Sequence, residues 1–291
     1  MKKEVVSSPI RWAGSKKKVL NDMLEYFDDT KEIYIEPFLG SGVVLINVLN
    51  NNDILKYKEF YVNDINSNII CFFKNLKQHP KKIINEITQL FNEYNKMEAT
   101  EQEEYYYLKR NEFNNENTDK FEKCILFYFL MKTGFNGVYR ENRDGKFNVP
   151  FGRKNKVIVD DKSLTTISKL LSEVKFYNYD YKKFMNTISK KINISNSFIY
   201  CDPPYIPEDN AICKKQTLYT NFGFDHTKFL SYLMNLKASV MISMSDSEIA
   251  NNIYGLYYNK RDIRDLLRTI NPQRLLTSKE VFYFNDEMKK R

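Results

Sequence analysis

Apolar residues recur at helix-like and strand-like spacings through the first third of the chain. Residues 19–27, VLNDMLEYF, place five apolar side chains on one face at helical spacing. The run EIYIEPF at 32–38 is a short apolar strand that ends at a proline, and the turn LGSG follows it. VVLINVLN is helical by its pattern, and FYVNDIN at 60–66 is a second strand that closes on an acidic residue. These segments predict a β-α-β opening.

The pattern then changes to long, charged, amphipathic helices, which is unlike a continued alternation of strands. We therefore predict a mainly helical insert at 68–156, which ends in the loop-rich stretch 133–156. Short β-rich runs resume at 173–181, 196–205, 238–246 and 280–285. The sequence thus predicts an α/β fold, in which a Rossmann-like domain is built from residues 1–67 and 157–291.

The composition is that of a globular protein with a basic balance. The 291 residues are 42% hydrophobic and 28% charged, and the mean hydropathy is −0.55. No apolar run approaches the roughly 18 residues of a membrane span, and the lysine-rich N-terminus lacks the apolar segment of a secretory signal. We therefore expect a cytoplasmic protein with no membrane partner. The net charge of +8 favours a polyanionic partner such as nucleic acid.

The cysteines and histidines narrow the possible chemistry. The four cysteines are far apart and form no C-x-x-C pair, so we expect neither a zinc site nor a disulfide framework. The chain has only two histidines, which leaves almost no material for a histidine base or for several histidine ligands. The sequence therefore predicts no metal site and disfavours a Ser-His-Asp hydrolase.

The glycine turn after the first predicted strand has the features of a nucleoside site. Gly40 and Gly42 permit positive φ and close approach of a ligand to the backbone. Asp64 follows the next strand, where a carboxylate can accept hydrogen bonds from both hydroxyls of a ribose. The full G-x-G-x-x-G pattern is missing, which favours a nucleoside without a pyrophosphate, such as S-adenosylmethionine (AdoMet). A tight turn that binds nothing is the alternative.

A second motif, Asp202-Pro203-Pro204-Tyr205, follows the strand SFIYC. Ligands of open α/β sheets bind at the carboxyl ends of the strands. The Asp202 carboxylate and the Pro203 carbonyl are acceptors beside the aromatic face of Tyr205, which suits the exocyclic amino group of a planar base. The alternative is a chance turn without a ligand.

Two further segments stand out, and the second of them has the composition of a nucleic-acid contact surface. The first, PIRWAGSK at 9–16, contains the only tryptophan, and a packed N-terminal arm is its alternative. The second, 132–156, has seven basic residues against two acidic ones, with aromatic and asparagine residues between them. Its alternative is a solvated loop.

These segments, in this order, resemble the Dam-type DNA adenine-N6 methyltransferases, also called the alpha or D12-like class. RWAGSK, EPFLGSG, NDIN and IYCDPPY are similar to that family's motifs, and EYYYLKRNEFN and GFNGVYRENRDGKFNVPFGR to its insert. The similarity is strong from residue 9 to about 206 and thin afterwards. Ser15 stands where many relatives have a second glycine, which is tolerable if its φ is negative.

The resemblance implies an AdoMet-dependent methyltransferase domain with an inserted target-recognition subdomain, and a role for each matching residue. Catalysis is implied for Asp202, Pro203 and Tyr205. Cofactor binding is implied for Trp12, Ala13, Gly14, Lys16, Glu36, Phe38, Gly40, Gly42, Asp64, Ile65 and Asp202. DNA binding is implied for Arg11, Phe135, Asn136, Val138 and Arg140. Arg143 and Lys146 are further candidates, for contacts with DNA phosphates.

The implied activity is site-specific methylation of a flipped adenine in double-stranded DNA, at a GATC-like site. A catalytically silent DNA-binding protein of the same fold and a cytosine-N4 methyltransferase are the alternatives. The family's usual state implies a monomer. A functionally paired restriction endonuclease stays open.

Overall fold

The sheet places the predicted motifs at one edge. The computed structural model describes residues 3–12, 14–206, 223–271 and 274–285, and within them seven strands form one mixed sheet. The strands are β1 (Ile33–Glu36), β2 (Glu59–Asn63), β3 (Val174–Tyr177), β4 (Ser197–Cys201), β5 (Ser239–Ser245), β6 (Asn259–Asn271) and β7 (Arg274–Phe284). Their order across the sheet is β3-β2-β1-β4-β5-β7-β6.

The first five strands run parallel to one another, and β7 runs antiparallel to both of its neighbours. In the centre, β1 pairs with β4 so that Tyr34 lies opposite Phe198. All four residues of β1 and all five of β4 are buried, as is typical of parallel strands that are covered on both faces. The predicted α/β class is confirmed.

Eleven α-helices lie within the described residues. They are α1 (Leu20–Leu24), α2 (Val43–Asn50), α3 (Asn52–Leu55), α4 (Ser67–Gln78), α5 (Pro80–Tyr94), α6 (Ala99–Asn114), α7 (Lys120–Thr133), α8 (Asp161–Leu170), α9 (Tyr181–Ser189), α10 (His226–Met234) and α11 (Glu248–Tyr254). The first is shorter than the helical pattern at 19–27. The N–H groups of Tyr26 and Phe27 bond three residues back, so the helix tightens into a turn after Leu24.

Side chains alternate between two apolar clusters, one on each face of the sheet. Tyr34 and Phe198 belong to the cluster that continues into the helices α4 to α7, which we call the helical-side cluster. Ile33 and Ile35 belong to the cluster on the other face. The helices after β2 therefore share one apolar core with the sheet. The predicted domain boundaries at residues 67 and 156 stay a prediction. None of the helices in the described part of the chain is long and apolar enough to cross a membrane.

Candidate active site

Three parallel strands end side by side at one edge of the sheet, and each has a predicted site residue at its end or directly after it. Glu36 is the last residue of β1, Asp64 follows β2, and Asp202 follows β4. Because parallel strands end at the same edge, these carboxyl groups converge. The segment before α1 adds Lys16 to them.

Lys16 and Asp202 form the central ion pair of the site. The Lys16 ammonium donates to both carboxylate oxygens of Asp202, at 2.8 and 2.7 Å, and to the carbonyl of Gly14 at 3.0 Å. The Lys16 side chain is 3% exposed and that of Asp202 23%. Burial alone would lower the pKa of Lys16, but the Asp202 carboxylate raises this pKa well above its ordinary value. The ammonium therefore stays charged.

Glu280 on β7 and Ser243 on β5 complete this group, and the sequence reasoning missed both. The Tyr205 hydroxyl donates to Glu280 Oε1 at 2.6 Å, and the Ser243 hydroxyl donates to the same oxygen at 2.5 Å. Lys16 Nζ lies 3.7 Å from that oxygen and 4.8 Å from the centre of the Tyr205 ring. The available signal was an acidic residue opening the apolar run EVFYFN, in the region where the family resemblance is thin.

The glycine turn is tied directly to Asp64. The N–H of Gly40 donates to Asp64 Oδ2 and the N–H of Asn66 donates to Oδ1, both at 2.8 Å. Burial raises the pKa of Asp64 to about 6, although these two N–H groups act in the opposite direction. Gly42 has a φ of 70°, and a Cβ there would lie 2.7 Å from Phe73 Cζ, so only glycine fits.

Aromatic and aliphatic residues surround the same turn. The Trp12 ring stacks on Tyr139, with ring centres 5.5 Å apart, and its edge lies against Gly40. Phe38 packs edge-on against Phe229. Ile65, directly after Asp64, is 61% exposed. A flat apolar ligand therefore finds apolar surface beside the Asp64 carboxylate.

Glu36 and the N-terminal motif have different environments. Glu36 is buried and accepts a hydrogen bond from the Tyr34 hydroxyl at 2.8 Å, and burial raises its pKa well above the ordinary value. Gly14 has a φ of 78°. Ser15 has a φ of −54°, so the departure from the family's glycine at this position is tolerated, as expected. Ala13 lies outside the described residues.

The residues predicted to bind DNA lie in a second group. Arg11 packs its aliphatic carbons against Gly137, where an added Cβ would lie 2.6 Å from Arg11 Cδ. Phe135 is 49% exposed, and Asn136 beside it is exposed with a φ of 54°. Val138 is half-buried against the helical-side cluster. Arg11 precedes Trp12 in the chain, and Val138 precedes Tyr139, on which the Trp12 ring stacks.

The remaining three predicted DNA contacts lie on an exposed turn. Arg140 donates through Nε to the Asn148 side chain at 2.7 Å and through Nη2 to the Asn148 carbonyl at 3.2 Å. Arg143 and Lys146 are exposed, and the turn between them is held by the Asn142 carbonyl oxygens. Among the described residues, Arg140 therefore contacts its own turn and not the cluster of carboxyl groups at the ends of β1, β2 and β4.

The chain is similar to one protein family and to several known proteins. The chain matches the family of D12 class N6 adenine-specific DNA methyltransferases over residues 12–269. It is 34% identical to the type II methyltransferase M.MjaIII of Methanocaldococcus jannaschii over 252 residues, which cover 81% of this chain and 83% of that protein. It is 29% identical to the DNA adenine methylase of Haemophilus influenzae over 282 residues, or 94% of this chain and 91% of that protein.

Proposed function

The chain belongs to the D12 class of N6 adenine-specific DNA methyltransferases, and on that premise we propose how its residues carry out the reaction. It is a site-specific DNA adenine methyltransferase, and methyltransferases of this kind generally use AdoMet. The observation that carries the proposal is the position of Asp202 at the end of β4, beside the turn that Asp64 holds.

Asp202 and Pro203 make the target nitrogen reactive. Adenine N6 is a poor nucleophile because its lone pair is delocalised into the ring. The Asp202 carboxylate and the Pro203 carbonyl accept the two amino hydrogens, which localises the lone pair on nitrogen. Formation of the N–C bond would break the C–S bond of the methyl donor and leave its electron pair on the sulfur. The methylated nitrogen would then carry one proton too many, and the Asp202 carboxylate is the acceptor that would remove it.

Tyr205 holds the adenine in place. Its ring offers a flat face to the base, and the hydrogen bond to Glu280 fixes the direction of that face. An adenine inside the duplex cannot reach Asp202, so the base is flipped out of the stack. Alignment of N6 with the reacting methyl supplies much of the rate.

The residues around the glycine turn fit AdoMet. This cofactor supplies a methyl group on a positively charged sulfur. Asp64 accepts from the two ribose hydroxyls, and Trp12, Phe38 and Ile65 provide apolar surface for the cofactor's adenine. Lys16 interacts electrostatically with Asp202 and Glu280, and Glu36 interacts with Asp202, Asp64 and Lys16. This excess of carboxyl groups over cations in these interactions suits a cationic ligand.

The recognition surface comprises Arg11, Phe135, Asn136, Val138, Arg140, Arg143 and Lys146. Phe135 and Asn136 are exposed and are assigned to the opened base pair, and the exposed basic side chains of Arg143 and Lys146 suit DNA phosphates. We propose a GATC-like site for this surface. The adenine-specific family favours this reaction over the cytosine-N4 alternative. The monomeric state stays a prediction, and a paired restriction endonuclease stays open.

Replacing Arg140 by alanine is expected to weaken or relax recognition by about 1 to 3 kcal/mol if the N–H groups that do not donate to Asn148 bind one guanine. The measurement is the methylation rate on a set of duplexes that each differ from the preferred site by one base pair. Lys58→Ala, which removes one positive charge at the opposite edge of the sheet, is the matched control. An unchanged order of preference among the duplexes would remove Arg140 from the readers of sequence.

The experiment that tests the proposed function is single-molecule sequencing of methylation-free DNA after incubation with the protein and AdoMet. N6-methyladenine within one short sequence motif is the expected result, and it identifies reaction, base and site together. Absence of modified adenine, in protein that binds AdoMet, would instead favour the silent DNA-binding alternative.

A further inference from the structure

Besides the hydrogen bond from Tyr205, Glu280 has contacts with Ser243 and Lys16 that the methyl-transfer scheme above does not use. Its side chain on β7 is 1% exposed, yet it contacts Tyr205 of the motif that begins at Asp202. Its Oε1 accepts from the hydroxyls of Tyr205 and Ser243, at 2.6 and 2.5 Å. A buried carboxylate costs free energy unless its hydrogen bonds and charge are compensated. Two hydroxyls and the nearby Lys16 supply that compensation.

The ion pair between Lys16 and Asp202 creates a difficulty for the reaction. Both carboxylate oxygens of Asp202 already accept from the Lys16 ammonium. A carboxylate bound so closely by a cation is a weaker acceptor for the neutral amino group of adenine, because the cation draws its negative charge away. Asp202 can accept a strong hydrogen bond from adenine N6 only if the Lys16 ammonium moves away from one of its oxygens.

Glu280 lies close enough to Lys16 to accept a hydrogen bond from its ammonium in place of Asp202. The distance of 3.7 Å from Lys16 Nζ to Glu280 Oε1 is less than 1 Å beyond a charge-assisted hydrogen bond of about 2.8 Å. Rotation about the flexible end of the lysine side chain covers that difference. The ammonium would then remain paired inside a buried site while one oxygen of Asp202 becomes available.

We propose that Glu280 is a positioning residue that shares the Lys16 charge and so frees Asp202 for the adenine amino group. Through the Tyr205 hydroxyl, the same carboxylate fixes the aromatic face on which the base stacks. The inference rests on the proposed function, since it concerns the same site. Ser243 orients the carboxylate and carries no charge of its own.

Two substitutions separate charge from shape. Glu280→Gln keeps the length of the side chain and an oxygen that accepts from both hydroxyls, but it removes the negative charge. Glu280→Asp keeps the charge but shortens the side chain by one methylene. A charge-sharing role predicts that the aspartate variant is the more active of the two. A purely structural role predicts the reverse order.

The experiment measures kcat, the Kd of AdoMet and the pH profile of kcat for the wild type, both variants and the control Glu32→Gln, which makes the same substitution just before β1, at the opposite edge of the sheet from the site. For Glu280→Gln we expect kcat to fall about 10- to 30-fold with the Kd of AdoMet changed less than about threefold. The acid limb of its profile should move to lower pH, because less negative charge beside Asp202 disfavours a proton there. Glu32→Gln should keep kcat within about threefold, since it removes the same charge where the side chain pairs with Lys58, away from the site.

The outcomes are distinct. Wild-type turnover together with an unchanged kcat and pH profile in Glu280→Gln would overturn this inference and leave the proposed function intact. A glutamine variant more active than the aspartate variant would also overturn it. A wild-type protein that does not methylate adenine would overturn the proposed function, and this inference with it.

Discussion

Replacing Asp202 by alanine is expected to abolish adenine methylation, with a fall in kcat of at least about 1,000-fold. The variant loses an acceptor for the amino group and leaves the buried Lys16 ammonium without the carboxylate that it contacts at 2.7 and 2.8 Å. The measurement is transfer of labelled methyl groups to duplex DNA, with DNA affinity followed by a gel-shift assay. We expect the affinity to stay close to that of the wild type.

Asp246→Ala is the matched control for this variant. Asp246 directly follows the neighbouring strand β5, its side chain is 25% exposed against 23% for Asp202, and it pairs with Lys260 at 2.7 Å. The control therefore breaks a similar ion pair near the same sheet without touching the reacting group. Full activity in Asp202→Ala, or equal loss in both variants, would contradict the catalytic assignment.

Replacing Asp64 by alanine is expected to raise the Kd of AdoMet by about 100-fold or more. Two hydrogen bonds from ribose hydroxyls to a carboxylate are together worth about 3 kcal/mol or more. The substitution also removes the acceptor that fixes the N–H of Gly40. The measurement is isothermal titration with AdoMet. A Kd within about threefold of the wild type would exclude Asp64 from the cofactor site.

The same carboxylate gives a pH dependence that serves as an independent check. Because burial raises the pKa of Asp64 to about 6, the carboxylate takes up a proton as the pH falls through that value. AdoMet affinity should therefore weaken below about pH 6, by at most about tenfold per pH unit. Asp64→Asn, which cannot titrate, should bind weakly and show no such slope between about pH 5 and 7.

The local part of the site could be predicted from the sequence. The glycine turn, Asp64 and Asp202 each follow an apolar strand, and parallel strands bring such positions to one edge. The β-α-β opening, the α/β class and the family resemblance are confirmed. The role of each site residue, and the division at residues 67 and 156, stay predictions.

The contribution of the last strands could not be predicted in this way. The hydroxyls of Tyr205 and Ser243 can both donate to Glu280 because β7 lies next to β5, and β5 next to β4. That order is a property of the whole sheet, since no short stretch of sequence specifies which strands become neighbours. The shortened α1 has a local cause, but a periodic pattern does not show where backbone bonding tightens into a turn.

The wide spacing of the site along the chain has a consequence for synthesis. Tyr34 pairs with Phe198 in the centre of the sheet, and the last side chain of the ion-pair group, Glu280, lies near the C-terminus. At about 5 to 20 residues per second, a ribosome needs roughly 10 to 40 seconds to pass from Asp64 to Glu280. Throughout that interval the nascent chain carries Asp64 but not Glu280. The contacts of Glu280 with Lys16 and Tyr205 therefore form only after β7 has been synthesised.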